Sequence, residues 1–278
     1  MGPENLDRLQ SPKMEYYHEV YKNSTRWNGV DDLSNKRVIV YCEQGFGDII
    51  QFSRYFPIIK QMCGELIIHC PKELHRLFSD YTAIDKEEEN LPEHDFHVLS
   101  MSLPFCLPQT DIKHPYLKVS ESTDLSEYND FIKIGIAWEG NPEHSNNDER
   151  SCPLVHFKKL QTDKTKLFMI QKEIHIPELI DGAEDLDLYG SEITDFYDTA
   201  KLLNSLDIIV SIDTSVLHLA CALGKPTYGL LSYRCDPRWD VDNWYDSLTI
   251  TRQKSEGDWD GAMSGLIQFL KLKNQWKE

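Results

Sequence analysis

Apolar residues along the chain fall into two alternating rhythms. The stretches "KRVIVYC" (36–42), "ELIIHC" (65–70) and "DFHVLS" (95–100) are short, nearly continuous apolar runs. That is the pattern of strands covered on both faces. Between the first two, "DIIQFSRYFPIIKQM" (48–62) spaces its apolar residues as a helix does, with Pro57 expected to kink it. "PKELHRLFSD" (71–80) opens on proline and reads as a further helix, and "KEEEN" (86–90) reads as a solvated loop.

A second series follows the polar stretch 115–130. Strands are expected at "FIKIGIAWEG" (131–140), "KLFMIQKE" (166–173), "DIIVSID" (207–213) and "PTYGLLS" (226–232). Helices are expected at "FYDTAKLLNSL" (196–206) and "TSVLHLACALG" (214–224), the latter ended by Gly224 with Pro226 just beyond. A last amphipathic helix closes the chain. Strand and helix alternate throughout, and no Asn-Gly turn joins two apolar runs. The pattern predicts an α/β protein with parallel sheets, arranged as two Rossmann-like halves with a cleft between them. The expected division is 1–130 (with 1–35 a lead-in packed on that domain), 131–255, and a closing segment 256–278.

Composition narrows the classes. The 278 residues are 40% hydrophobic and 11% aromatic, which are globular values. Formal net charge is −17, so the mean surface repels nucleic acid and anionic membranes. A phosphate-bearing ligand must then be held by specific local groups. No apolar run approaches the roughly 18 residues of a membrane span. The polar, acidic start does not read as a secretory signal, and with Leu6 where myristoylation needs Ser or Thr that modification is not expected. The seven cysteines are odd in number and form no CxxC pair. They read as buried free thiols in a reducing, cytoplasmic setting. His94 and His97 flank Asp95 without a second ligand cluster, so no metal is expected.

The candidate chemistry lies at strand ends, where ligands collect in such sheets. "EQGFGDIIQF" (43–52) places Gly45, Gly47 and Asp48 at a strand-to-helix join, with Gln51 one turn on. It lacks the third glycine of a dinucleotide fingerprint and the Lys-Ser/Thr of a P-loop. Asp48 reads either as a plain helix cap or as a carboxylate able to accept a proton. In "SIDTSVLHLACALG", Asp213 ends a strand, and Thr214, Ser215 and Val216 open a helix whose free N–H groups suit a diphosphate. His218 follows one turn in, and the same pattern equally describes a capped core helix. The long loop "AWEGNPEHSNNDERSCP" (137–153) holds Trp138, Asn141 and Arg150, and Lys172 follows a strand end. "DPRWDVDNWY" (236–245) supplies aromatics for a pocket wall or for packing.

Taken in order, "RWNG", "KRVIVYCEQGFGDIIQFSRY", "GIAWEGNPEH…ERSCPL", "IQKE" and "DTAKLLNSLDIIVSIDTSVLHLACALGKPTYGLL" resemble glycosyltransferase family 9, which includes the lipopolysaccharide heptosyltransferases. The likeness runs from about Trp27 to the end and is greatest to the glycosyltransferase domains of bacterial tetratricopeptide-repeat proteins. It implies a GT-B fold, with a donor-side second domain and a final helix that crosses back to the first. It implies an inverting, metal-independent transfer from a nucleotide-diphosphate sugar, possibly an ADP-sugar, with no further cofactor. Asp48 becomes the general base, and Lys172, Asp213, Thr214, Ser215, Val216 and His218 the donor-diphosphate side. Gly45, Gly47, Gln51, Trp138, Asn141 and Arg150 become the cleft loops. Ser215 stands where the family usually has Gly or Ala. The acceptor stays open among glycan, lipid-linked, protein and small-molecule hydroxyls. A catalytically inactive nucleotide-sugar module and a DNA-base glycosyltransferase are the alternatives, the second opposed by the net charge.

Overall fold

The structure is a computed structural model that describes residues 21–107, 112, 114–144, 146–171, 187–188, 193–240 and 244–273. The chain divides into two compact units. The first comprises Met1–Gln44 and Tyr55–Asp111, the second Gly45–Arg54 and Ile112–Glu278.

In the first unit the described strands are β1 (Thr25–Arg26), β2 (Arg37–Tyr41), β3 (Glu65–Cys70), β4 (Thr82–Asp85) and β5 (Phe96–Leu99). They form one parallel sheet in the order β1-β5-β2-β3-β4. Val38, Ile39 and Val40 of β2 and Ile67 and Ile68 of β3 have no exposed surface, as their unbroken apolar runs predict. Tyr21 packs on Ile39, Tyr41, Ile67 and Leu99, and its hydroxyl lies 2.7 Å from His69 Nδ1. The described part of the lead-in is thus part of this unit's core. The expected helix over 71–80 is only a 3-10 turn, Lys72–Leu74, followed by turns. Its backbone bonds close three residues back, Leu74 to Pro71 and His75 to Lys72, and the His75 ring reaches back to the Cys70 carbonyl.

After β2 the chain forms α1 (Phe46–Phe52), a 3-10 turn at Ser53–Tyr55, and α2 (Phe56–Met62). One kinked helix was expected. Instead Pro57 sits in the first turn of α2, where its missing N–H is no loss.

The second unit's described strands are β6 (Ile132–Ala137), β7 (Thr165–Met169), β8 (Asp187–Leu188), β9 (Ile208–Ile212), β10 (Thr227–Leu231) and β11 (Leu248–Arg252). All pair in parallel, in the order β11-β10-β9-β6-β7-β8. This is the doubly wound order of dinucleotide-binding sheets, and it reverses between β6 and β9. Helices α3 (Phe196–Ser205) and α4 (Ser215–Ala222) flank β9, and α5 (Trp259–Leu272) closes the described chain. Asp195 caps α3 through the Tyr197 and Asp198 amides, and Gly224 takes φ +75° just past α4, where a side chain would be strained.

Two expected boundaries change. The stretch 115–130 belongs to the second unit, because its backbone satisfies donors there: Asn204 donates to Val119 O at 2.7 Å and Ser205 to Thr123 O at 2.6 Å. The closing helix, expected to cross back to the first domain, lays its apolar stripe on its own unit's sheet. Trp259, Ala262, Met263, Leu266 and Leu270 share one core with Ile134, Ile136, Val210 and Leu230. Leu266 is fully buried there, so Leu266→Ala should cost about 2–5 kcal/mol. The measurement is urea unfolding. A lowered midpoint at constant slope is expected, and an unchanged midpoint would refute this placement of α5.

Candidate active site in the second unit

The site begins where the strand order reverses. β9 runs into Asp213 and Thr214, and α4 starts at Ser215. Thr214 is the extended N-cap of α4, but its side chain makes no capping bond, its hydroxyl lying 3.1 Å from Ser211 Oγ. The Ser215 and Val216 N–H groups belong to the first turn, where a helix offers them no acceptor. From the neighbouring strand β6, the loop leads to a single helical turn, Asn147–Arg150. Arg150 donates from Nη1 to the Asp213 carbonyl at 3.2 Å. Gly140 lies flat against this guanidinium, and a Cβ there would collide with it.

Asp213 is tied to the next layer. Trp239 Nε1 donates to its Oδ2 at 2.8 Å, and the His218 Nε2 stands 3.8 Å from Oδ1. Burial pushes the Asp213 carboxyl up, with the Trp239 hydrogen bond opposing. Burial takes the His218 imidazole down to about 3, helped by the Arg238 and Arg54 charges. His218 is therefore neutral near pH 7, and its approach to Asp213 is not an ion pair. Its ring stacks on Trp239 at 5.4 Å, and its Nδ1 lies 2.7 Å from the Tyr245 hydroxyl.

Helix α1 completes the cluster. Gly45 is its N-cap and bonds nothing through a side chain, so Asp48 is not the cap. Instead Asp48 Oδ1 accepts from Arg238 Nη1 at 2.7 Å. Gln51 lies on the same helix face, and its Oε1 accepts from the same nitrogen at 2.8 Å. Arg238 Nη2 meets Asp236 at 3.1 Å. Burial alone would lower the Arg238 pKa, but Asp48 and Asp236 outweigh it and hold the guanidinium charged. Gly47 faces α4: a Cβ there would stand 3.0 Å from His218 Cδ2 and 3.5 Å from Ser215 Cα. Its missing side chain lets the two helix starts touch.

The structure thus brings together Asp48, Gly47, Gln51, Arg150, Asp213, Thr214, Ser215, Val216 and His218. Trp138 and Asn141 do not join them. Trp138 is a core residue of the sheet, and its N–H and that of Glu139 both donate to Gln171 Oε1, at 2.6 and 2.9 Å. Asn141 is exposed and turns its own loop by accepting from the Glu143 N–H at 2.9 Å. Lys172 lies outside the described residues. All seven cysteines are free thiols, and among the described residues no group of three or more His, Cys, Asp or Glu could hold a metal ion.

Two arginines were missed by the sequence reading. Arg238 was visible only as part of "DPRW". Arg54 is nearly buried, donating to Gln51 O at 2.7 Å and Trp244 O at 2.9 Å. Its guanidinium lies 4.7 Å from the Tyr245 ring centre, 5.1 Å from Tyr116 and 5.2 Å from Trp244. Trp244 and Tyr245 of that stretch, with Tyr116, therefore pack around a cation, each contact worth roughly 0.5–2 kcal/mol.

Known proteins share this fold and part of this sequence. The solved structure of E. coli ADP-heptose lps heptosyltransferase II superposes with TM-score 0.61 at 14% identity, over 86% of this chain and 99% of that one. The dodecameric iron-containing heptosyltransferase TibC of enterotoxigenic E. coli, solved with ADP-D-beta-D-heptose, gives TM-score 0.58 at 11% identity, over 83% of this chain and 66% of that one. The architecture is the GT-B fold of glycosyltransferases. In sequence, residues 171–257 match the model of glycosyltransferase family 9 (heptosyltransferase), the stretch that holds Asp213, α4 and Arg238. The chain is also similar to protein FlbA of Caulobacter vibrioides, 22% identical over 88% of this chain, and it spans about half (48%) of that protein's length. These likenesses establish the fold and tie the stretch 171–257 to the family 9 model.

The neutral His218 gives a pH test. A histidine held near 3 takes up fewer protons folded than unfolded. Its contribution is complete above the ordinary value of 6.5 and is lost as pH falls toward 3. By pH 5 the loss is about 2 kcal/mol. Denaturant titrations at pH 7 and pH 5 should show His218→Gln losing less stability between the two than the wild type. Equal slopes would mean that His218 titrates normally.

Proposed function

We propose that this chain is an inverting glycosyltransferase that moves a sugar from a nucleotide-diphosphate donor to an acceptor hydroxyl without a metal ion. Asp48 accepts the hydroxyl proton, the acceptor oxygen attacks the anomeric carbon, and the nucleoside diphosphate departs from the opposite face. The leaving group's growing charge falls on the Thr214, Ser215 and Val216 turn of α4, with Arg150 as a cationic neighbour and Lys172 assigned to the phosphates by the family 9 resemblance. The observation that carries this reading is the contact at Gly47, which brings the only carboxylate of α1 beside the open start of α4. The first unit is read as the acceptor side and the second as the donor side. The names of the structural relatives favour an ADP-sugar, while the acceptor is left as a hydroxyl on a glycan, lipid-linked, protein or small-molecule carrier. No helix among the described residues is long and apolar enough to cross a membrane. The free thiols are the feature behind reading the setting as cytoplasmic.

A nucleotide-sugar-binding module without turnover is the competing reading, favoured by the ion pair that occupies Asp48. Turnover separates the two. A thermal-shift panel of ADP-, UDP-, GDP-, CDP- and dTDP-sugars identifies the donor, since binding raises apparent stability by mass action. Donor hydrolysis or transfer is then measured with and without a chelator. Asp48→Asn should lower turnover about 10²–10⁴-fold, Lys172→Ala should also lower it, and the chelator should change nothing. Full activity in both variants would remove this mechanism, and binding without turnover across an acceptor panel would favour the module.

A further inference from the structure

The arginine that occupies Asp48 stands on a fixed mount. Trp239, the next residue, is 7% exposed, donates to Asp213 and stacks on His218. Its backbone N–H donates to Asp236 O at 3.0 Å, and the Arg238 N–H donates to Asp236 Oδ1 at 2.8 Å. The backbone of the Pro237–Asp240 turn is therefore pinned to the residue that immediately precedes the N-cap of α4. The Arg238 side chain itself is not fully shut in, with 23% of its surface exposed against 21% for Asp48. Arg238 Nη1 is shared between Asp48 and Gln51, while Nη2 serves Asp236. Gln51 is fully buried, and its Nε2 has no partner among the described residues.

The Asp48 oxygen that accepts from Arg238 Nη1 is engaged by the guanidinium and is not free to face an acceptor hydroxyl. A diphosphate at the start of α4 would present more negative charge, and more oxygens for the planar fork, than Asp48 does. We propose that Arg238 is a latch: it holds Asp48 in the nucleotide-free protein and moves to the donor's diphosphate, which releases Asp48 as the donor binds. The proposal rests on the reading of Asp48 and α4 given above, and it adds an order to it. The donor must arrive before the acceptor hydroxyl can lose its proton.

Competition of this kind is reciprocal, so it can be read from binding alone. ADP and, independent of the nucleobase, inorganic pyrophosphate are titrated by calorimetry into the wild type, Asp48→Asn, Arg238→Gln and the double variant. Asp48→Asn, which removes the proposed base, should bind both probes about fivefold or more tightly. Arg238→Gln should bind them more weakly, and Asp48→Asn should then give no further gain. Unchanged affinity in Asp48→Asn overturns the latch. So does an equal gain in both Arg238 backgrounds, since that is simple charge repulsion. If Arg238→Gln fails to fold, Arg238→Lys, which keeps the charge and loses the fork, takes its place with the same expectations. A wild type that binds neither probe removes the diphosphate site and the latch together. Tight binding with loss of coupling removes only the latch.

Discussion

The ion pair between Arg238 and Asp48 is the constraint on which the second unit's site depends. It joins residues 190 positions apart in sequence. Without it α1 would carry a partly desolvated carboxylate stripped of the guanidinium it is paired with, while Arg238 would keep only Asp236 as a charge partner among the described residues, and breaking such a pair costs more than the pair itself contributes. The pair also sets the register of everything near it. Gln51 follows Asp48 by one turn on the same face and shares the same nitrogen. Trp239 follows Arg238 and reaches Asp213, so the start of α4 is fixed from the same mount.

A second cation does the complementary job further inside. Arg54 has no carboxylate partner among its described contacts. Carbonyl oxygens of Gln51 and Trp244 and the faces of Tyr116, Trp244 and Tyr245 take the place of one. Its burial carries the end of α1 against the same aromatic cluster that contains Leu217 and Cys221 of α4. The two arginines thus hold the two ends of α1 by different physics, one by charge pairing and one by aromatic enclosure. Gly47, just before Asp48, allows the close approach.

Much of the architecture was legible in the apolar rhythm, because parallel strands buried on both faces leave unbroken runs such as those of β2, β3, β6 and β9. What escaped were elements without that signature. β11 is the stretch "LTITR", half-buried throughout at the sheet edge, and β4 is likewise only partly covered. The site was legible in halves. "DTSVLH" announced a helix start, and "GFGD" a strand-to-helix join. Asp48 could not be told from a cap, because the deciding partner, Arg238, is remote in sequence and made by tertiary contact alone. Asn141 and Trp138 were drawn in by the length of their loop, yet one turns the loop and the other fills the core. The domain boundary moved for a similar reason, since a polar stretch such as 115–130 shows its allegiance only through backbone hydrogen bonds to α3 and α4.

The chain's passage through its two units has a consequence for synthesis. It enters the second unit at Gly45, leaves after Arg54 and returns at Ile112. During translation α1 emerges early, with Asp48, Gln51 and Phe52 waiting for Arg238 and Trp244, far downstream. Until those residues leave the ribosome, the Phe52 ring and the two polar side chains lack these partners, the kind of incomplete packing that chaperones shield. For the same reason the second unit cannot be cut out as a continuous fragment. A piece beginning at Ile112 keeps α4 and Arg238 and loses the segment that carries Asp48, Gln51 and Arg54.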